Sequence, residues 1–361
     1  MQNLKTRQIC LFFIAFVPVS KIFILPSIIA KISGSDMWIS SLISGLIDLI
    51  TVICLLFACK RYKTDFFTLL ENTLGRPLSN TLLILYAIVF FFKATLPVND
   101  LRNYVEITLY ETIPSSFYFI PFFLFCFYFC LKPLRVLGRC ADIAWIFSVI
   151  GIVLLFALSM SNVDLSNLLP LGVNGTGKIL SASIGSTVWY GDGVYLLFFI
   201  GNFIYKKKDG IKIAISYLVA IIIVVVFSVF FYSIFESIAD RQTYALTEMS
   251  KYSTVINNIG RFDYIGIALI LFSNLFATAM PIYFATLLVM RVLRTEKKWH
   301  ISLVFTVLLY LFITIFREYF YSIQKIMLSV GNWVFLLFFN LIPIAISFIP
   351  LKEKVNETQK T

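Results

Sequence analysis

Ten long apolar runs separated by short polar stretches dominate this 361-residue chain, and nothing constrains its folding more. They cover residues 8–32, 37–59, 79–97, 115–132, 141–161, 179–205, 211–235, 263–291, 300–317 and 326–350, called spans one to ten below. A hydrocarbon core of about 30 Å is crossed by roughly 20 helical residues, a length these runs approach or exceed. In lipid every backbone N–H and C=O must find its partner within the protein, and a continuous apolar run does so by coiling into a helix. With 60% of its residues hydrophobic and 14% charged, the chain reads as an all-α polytopic membrane protein. It forms a single membrane domain over 1–361, in which 351–361 is a short cytoplasmic tail.

The formal net charge of +11 would point to nucleic acid in a soluble protein, but here the loops account for it. Lys5 and Arg7 precede span one. Lys60, Arg61, Lys63 and Arg76 follow span two, Lys132, Arg135 and Arg139 span four, and Lys206, Lys207, Lys208 and Lys212 span six. Arg291, Arg294, Lys297 and Lys298 follow span eight, and Lys352, Lys354 and Lys360 span ten. The intervening loops carry acids instead: Asp100, Glu106, Glu111, Asp164, Glu236, Asp240 and Glu248. Positive charge stays on the cytoplasmic side, so both termini are expected there, with the lipid bilayer and no nucleic acid as partner. The first run continues to Ile32 without a small-residue cleavage site, which does not fit a cleaved signal peptide.

Ten spans divide into two fives, and an odd number per half makes the second half enter from the opposite side. This is the arithmetic of an inverted repeat, here 8–161 and 179–350. Span six then corresponds to span one, and both carry residues that break helices. Span one holds Val17-Pro18-Val19-Ser20-Lys21, a proline and a charge in mid-run. Span six holds Gly185-Ser186-Thr187-Val188-Trp189-Tyr190-Gly191-Asp192-Gly193. Three glycines permit irregular backbone, which is tolerated at membrane depth around a buried or water-filled cavity.

At about 1.5 Å per residue, Lys21 and Asp192 each fall roughly 20 Å from the faces where their spans begin, close to the midplane. Asp48 in span two and Lys93 in span three are the other deep charges, so two cations meet two anions. A mid-helix charge costs about 2.5–3.5 kcal/mol even on a permissive scale, which makes Lys21 with Asp192 and Lys93 with Asp48 the expected buried partners. Pro18, Val19, Ser20, Lys21, Val188, Trp189, Gly191, Asp192 and Gly193 are the candidate ligand-binding residues. The apolar Val17, Val188, Trp189 and Tyr190 favour a small amphipathic ligand. Ser273 and Thr278 in span eight are candidates for a cation site; the competing reading has each hydroxyl bonded back to its own helix.

The remaining signals exclude more than they assign. Cys10, Cys54, Cys59, Cys126, Cys130 and Cys140 lack metal-ligand spacing, and His300 is the sole histidine, so no metal or cofactor is expected. No nucleophile and base pair or carboxylate dyad appears, so the chain is not read as an enzyme. Gly172-Val173-Asn174-Gly175-Thr176-Gly177-Lys178 approaches a phosphate loop, but Ile179 stands where Ser or Thr is needed and no strand precedes it; it is read as a turn. The loop from Glu236 to Arg261, with Tyr244, Leu246, Met249, Val255, Ile256 and Ile259, is expected to form one or two short helices over the outer mouth, either a cap or gate or a passive surface helix. Asp65 to Leu74 is expected to be an interfacial helix.

Several short landmarks, in order, carry a family resemblance. They are Leu25-Pro26 closing span one, Gly34-Ser35-Asp36-Met37-Trp38-Ile39-Ser40, Leu101-Arg102 with Ile113-Pro114, Gly191-Asp192, and Gly260-Arg261-Phe262-Asp263. Over nearly its whole length the chain resembles the B-subunit, or spore permease, family of nutrient germinant receptors from endospore-forming bacteria. That family lies within the amino acid-polyamine-organocation transporter superfamily. It departs from the family pattern at Pro18-Val19-Ser20-Lys21, where many members have a glycine-containing break, so recognition of an amino acid by backbone there does not carry over directly. The resemblance implies a leucine-transporter-like fold with broken helices one and six. It further implies a B subunit that binds a small nutrient, an amino acid for preference, and signals to an A-type membrane subunit and a C-type lipoprotein in the spore inner membrane. The alternative is a proton- or cation-coupled amino acid transporter using the same pocket.

Overall fold

The computed structural model describes residues 4–62, 64–109, 117, 119–251 and 263–349. Among the described residues the chain is helical apart from its connections, with one isolated bridge between Leu4 and Phe203. Among the described residues seven helices are long and apolar enough to cross a membrane: Leu25–Arg61, Arg76–Glu106, Leu134–Asn162, Asp209–Arg241, Ile265–Leu293, Lys298–Ile315 and Phe320–Ser347. They carry spans two, three, five and seven to ten. Spans one and six are broken, and the described helix of span four is the shorter Ile120–Cys130. This is a multi-pass, all-helical membrane protein. The tail at 351–361, the loop residues Val255, Ile256 and Ile259, and the landmarks Ile113-Pro114 and 260–262 lie outside the described residues.

The first half of span one threads between spans five, seven and eight; span two packs on span seven, and span eight on spans three and five. Glycines let these helices approach closely. A Cβ on Gly45 would sit 2.5 Å from Ile221 of span seven, and one on Gly151 would sit 2.7 Å from Ile270 of span eight. Outward-facing Ile50, Phe57, Ile143, Val153, Ile222 and Leu308 are exposed, as a lipid-facing surface requires.

Span one breaks later than its sequence suggested. Its first helix, Thr6–Lys21, runs through Pro18, and the chain bends at Ile22–Ile24 before Leu25–Ser33 resumes. The cause is Pro26, in the first turn of the second helix. In a continuous helix its ring would meet the carbonyl four residues back, that of Ile22, and it biases Leu25's neighbourhood against helical continuation. Leu25-Pro26 therefore opens the second half of the span rather than closing the span. Pro18 lies inside that helix without ending it; in the turn after it, Ser20 Oγ and Lys21 Nζ donate to the Val17 carbonyl at 3.1 and 3.2 Å.

Span six breaks where its glycines lie. Helix Gly175–Gly185 gives way to tight turns at Ser186–Val188 and Asp192–Tyr195, and a short helix, Leu196–Phe199, follows. Gly191 has φ +79°, a left-handed conformation, and a Cβ there would lie 2.7 Å from Phe339. Span three runs on past its expected end at 97 as Arg76–Leu109. Its polar continuation is paid for by packing: Arg102 is buried and donates to the Ile313 carbonyl at 2.9 Å, near the C-terminus of span nine, where a cation is favoured. Span ten contains two π-helical turns, Met327–Gly331 and Leu337–Leu341.

Around this core, Phe66–Leu74 forms the expected short helix. The turn expected at 172–178 is confined to 171–174, with 175–178 already in helix Gly175–Gly185, and it is held by the carboxylate of Asp36, which accepts the N–H groups of Gly172 and Asn174 at 2.7 and 3.3 Å. That carboxylate already fills the turn's anion-binding amides. Of the loop from 236 to 261, a turn at Glu236–Arg241 and a helix at Ala245–Lys251 are described; the turn packs on the second half of span one, where Ser27 donates to the Gln242 carbonyl. All six cysteines are free thiols.

Candidate ligand site between the broken spans

The two breaks meet deep in the bundle, and the four deep charges of the sequence converge there. Asp192, presented by the turn after Gly191, lies between two ammonium groups. Lys21 donates to its Oδ2, and Lys93 Nζ lies 3.1 Å from its Oδ1. Lys21 is fully buried, and Lys93 and Asp192 nearly so. Lys93 also donates to the Tyr190 carbonyl at 2.5 Å, a group set free by the unwinding of span six. Its ammonium lies 4.7 Å from the ring centre of Phe339, and that of Lys21 lies 5.1 Å from the ring of Tyr190.

Asp48 plays a different part from the one its charge suggested. The expected Lys93–Asp48 pair does not form; Lys93 goes to Asp192. Asp48 instead accepts the backbone N–H groups of Gly191 and Asp192, each at 3.0 Å, and of Gly193 at 3.3 Å. Tyr217 of span seven donates its hydroxyl to the same carboxylate, and Asn340 Nδ2 of span ten reaches it at 3.5 Å while donating to Thr51 at 2.9 Å. The physical reason is the turn itself. Three consecutive amides without helical acceptors form a cationic nest, and an anion one helix away satisfies all three. Gly193 must be glycine for this approach, since a Cβ would sit 3.0 Å from the Asp48 carboxylate.

A cavity of about 30 Å³ adjoins the cluster. Ser20, Lys93, Asp192 and Thr278 supply its polar lining; Phe12, Phe16, Val17, Val188, Trp189 and Tyr195 supply much of the rest. It has room for a water or two. Of the residues singled out in the sequence, Val17, Ser20, Val188, Trp189 and Asp192 line it, while Lys21 stands behind Asp192 and Pro18 and Val19 are buried in the first helix. Gly191 and Gly193 shape the turn. Thr278 donates to the Asn274 carbonyl of its own helix at 2.7 Å, and Ser273 to the Ala144 carbonyl of span five at 2.9 Å, so the two hydroxyls do not converge. Among the described residues no group of three or more His, Cys, Asp or Glu side chains is placed to hold a metal.

Sequence reasoning missed Tyr217, Phe339 and Asn340. Asn340 is a polar group in the middle of apolar span ten, so the depth argument that found Lys21 applies to it; Tyr217 stands only six residues into span seven, where that argument gives no signal. Nothing in the sequence marks Phe339 among 38 phenylalanines.

The comparisons with known proteins bear on the family and the fold. A family model described as spore germination protein, the spore permease family, matches residues 3–320, and the chain belongs to that family. Among solved structures, the crystal structure of a mutant manganese transporter from Eremococcus coleocola is similar with a TM-score of 0.56 at 14% identity, over 94% of this chain and 78% of that one. At that identity the likeness is one of fold, and the fold is the leucine-transporter-like one with broken spans one and six. No curated protein matches the sequence.

Proposed function

We propose that this chain is the nutrient-sensing B subunit of a spore germination receptor. It binds an amino acid or similar small nutrient between spans one and six and signals to an A-type membrane subunit and a C-type lipoprotein. Its place is the spore inner membrane, with both termini in the cytoplasm, as the distribution of lysine and arginine between the loops favours. The observation that carries the reading is the small cavity at the paired breaks, lined by one base and one acid among apolar side chains. Both oxygens of Asp192 are held by lysines, an arrangement that repels a metal cation and suits an organic ligand with polar groups of its own. Because the cavity has room for a water or two, binding a nutrient requires an expanded state. A ligand that prefers that state shifts the equilibrium by its difference in affinity, which is the property a receptor needs.

The test has two arms. In spores carrying Asp192→Asn at normal protein level, the response to the cognate nutrient should be lost. In proteoliposomes the purified wild-type chain should show no uptake of labelled L-alanine or L-valine above empty vesicles. Uptake that disappears in Asp192→Asn would make the chain a coupled transporter instead.

A further inference from the structure

We infer that Lys93 and Asp192 are the groups that receive the charges of the ligand: it inserts into their ion pair, its carboxylate taken by Lys93 and its ammonium by Asp192. The inference rests on the reading of this cavity as the nutrient site. The unwound backbone of span six would otherwise be the natural receptor for a carboxylate, because exposed N–H groups at a helix break attract anions. In this chain that position is taken. The amides of Gly191, Asp192 and Gly193 all point at the Asp48 carboxylate, which Tyr217 and Asn340 hold in place from spans seven and ten. A ligand carboxylate must look elsewhere.

The charged groups lining the cavity are Lys93 and Asp192. They are in contact at 3.1 Å, the looser of the two pairs on Asp192, whose other oxygen stays with Lys21. Parting Lys93 from Asp192 leaves one ammonium and one carboxylate facing the same space. A zwitterion of opposite orientation satisfies both at once, and the Tyr190 carbonyl, which Lys93 also contacts, limits how far the ammonium must travel.

Charge balance narrows the class. Lys21 and Lys93 offset Asp48 and Asp192, so the buried cluster is neutral, and a zwitterion leaves it so. A ligand with net charge would leave one charge without a partner in a low-dielectric site, where such groups are strongly disfavoured. The apolar walls at Val17, Val188, Ala277 and Met280 add a preference for a small apolar side chain.

The experiment follows thermal unfolding of the purified full-length chain in detergent with each proteinogenic L-amino acid in turn, and with D-glucose as a nutrient lacking both charged groups. The best amino acid is then compared with its amide, which lacks the carboxylate, and its N-acetyl derivative, which lacks the ammonium. Only neutral amino acids should raise the midpoint, and both derivatives should be silent at tenfold higher concentration. Lys93→Met should weaken the effect about thirtyfold or more, and Lys93→Arg should keep most of it. If the amide protects as well as the parent, or Lys93→Met binds as tightly as wild type, the inference is wrong. Protection by glucose alone also overturns it while leaving the nutrient site standing. No protection by any probe, together with a normal response of Asp192→Asn spores, overturns both. The analogue series on the wild-type chain decides even if the lysine variants fail to fold.

Discussion

The two helix breaks face one charge cluster but are held in opposite ways. In span six the unwound backbone is fastened from outside: Asp48 of span two takes three amides, Lys93 of span three takes the Tyr190 carbonyl, and Phe339 of span ten closes over Gly191. In span one the turn after Pro18 is served from within its helix, by Ser20 and Lys21 bonding back to Val17, and another helix reaches this stretch at the Ala15 carbonyl, which accepts from Ser148 of span five at 2.8 Å. Local bonds travel with their helix, whereas bonds to other helices resist movement. Span six is therefore the fixed wall of the site, and the first half of span one is tied to the cluster mainly through Lys21 and Asp192.

This contrast is broken most directly at Asp48. Asp48→Ala should orphan three buried amides and leave the lysines in excess, lowering stability by about 4–5 kcal/mol in thermal unfolding of the detergent-solubilised chain. Asp48→Asn should cost less, because its amide oxygen still accepts; equal stability of Asp48→Ala and wild type would mean that span six does not depend on this anchor. Next is Asp192→Asn, which strands two ammonium groups and should cost about 3 kcal/mol. The exchange of Lys21→Asp with Asp192→Lys in one chain should recover part of the lost protein level, and a double variant no better than either single would show that the pairing is not what the cluster provides.

Gly191→Ala tests the wall from the backbone side. It imposes a Cβ on a left-handed residue 2.7 Å from Phe339 and should cost about 1–3 kcal/mol, with only partial rescue by Phe339→Ala because the backbone strain stays. The smallest effects belong to span one. Pro26→Ala should let the helices on either side of Ile22–Ile24 begin to fuse, changing stability by about 1 kcal/mol while blunting the nutrient response. Pro18→Ala should change either property less. If Pro18→Ala has the larger effect on the response, the hinge lies at Pro18 and not at the bend.

Much of the fold was legible because the bilayer is a severe solvent. Run length set the helices and the glycines of 185–193 marked the break in span six, each a local property of the chain. The break in span one was misplaced by a few residues: Pro18 sits inside a helix that runs on to Lys21, whereas Pro26 stands in the first turn of the next helix, just after the bend. At the site, the depth argument found all four charges but could not say which would pair. Lys93 and Asp48 have compatible charge and depth, and only the unwinding of span six, which exposes three amides, gives Asp48 a better use.

By itself, then, the amino-acid sequence determined that the chain crosses the membrane many times, that spans one and six are interrupted, and that charge is buried at mid-depth. Those facts follow from composition and spacing, and the cost of polar groups in hydrocarbon enforces them on any fold. Only the tertiary structure decided that Asp192 takes both lysines, that Asp48 serves the backbone, and that Tyr217, Phe339 and Asn340 complete the site. These depend on which helix faces sit opposite one another, and in an apolar span nearly every face is equally fit to be buried until its neighbours are known.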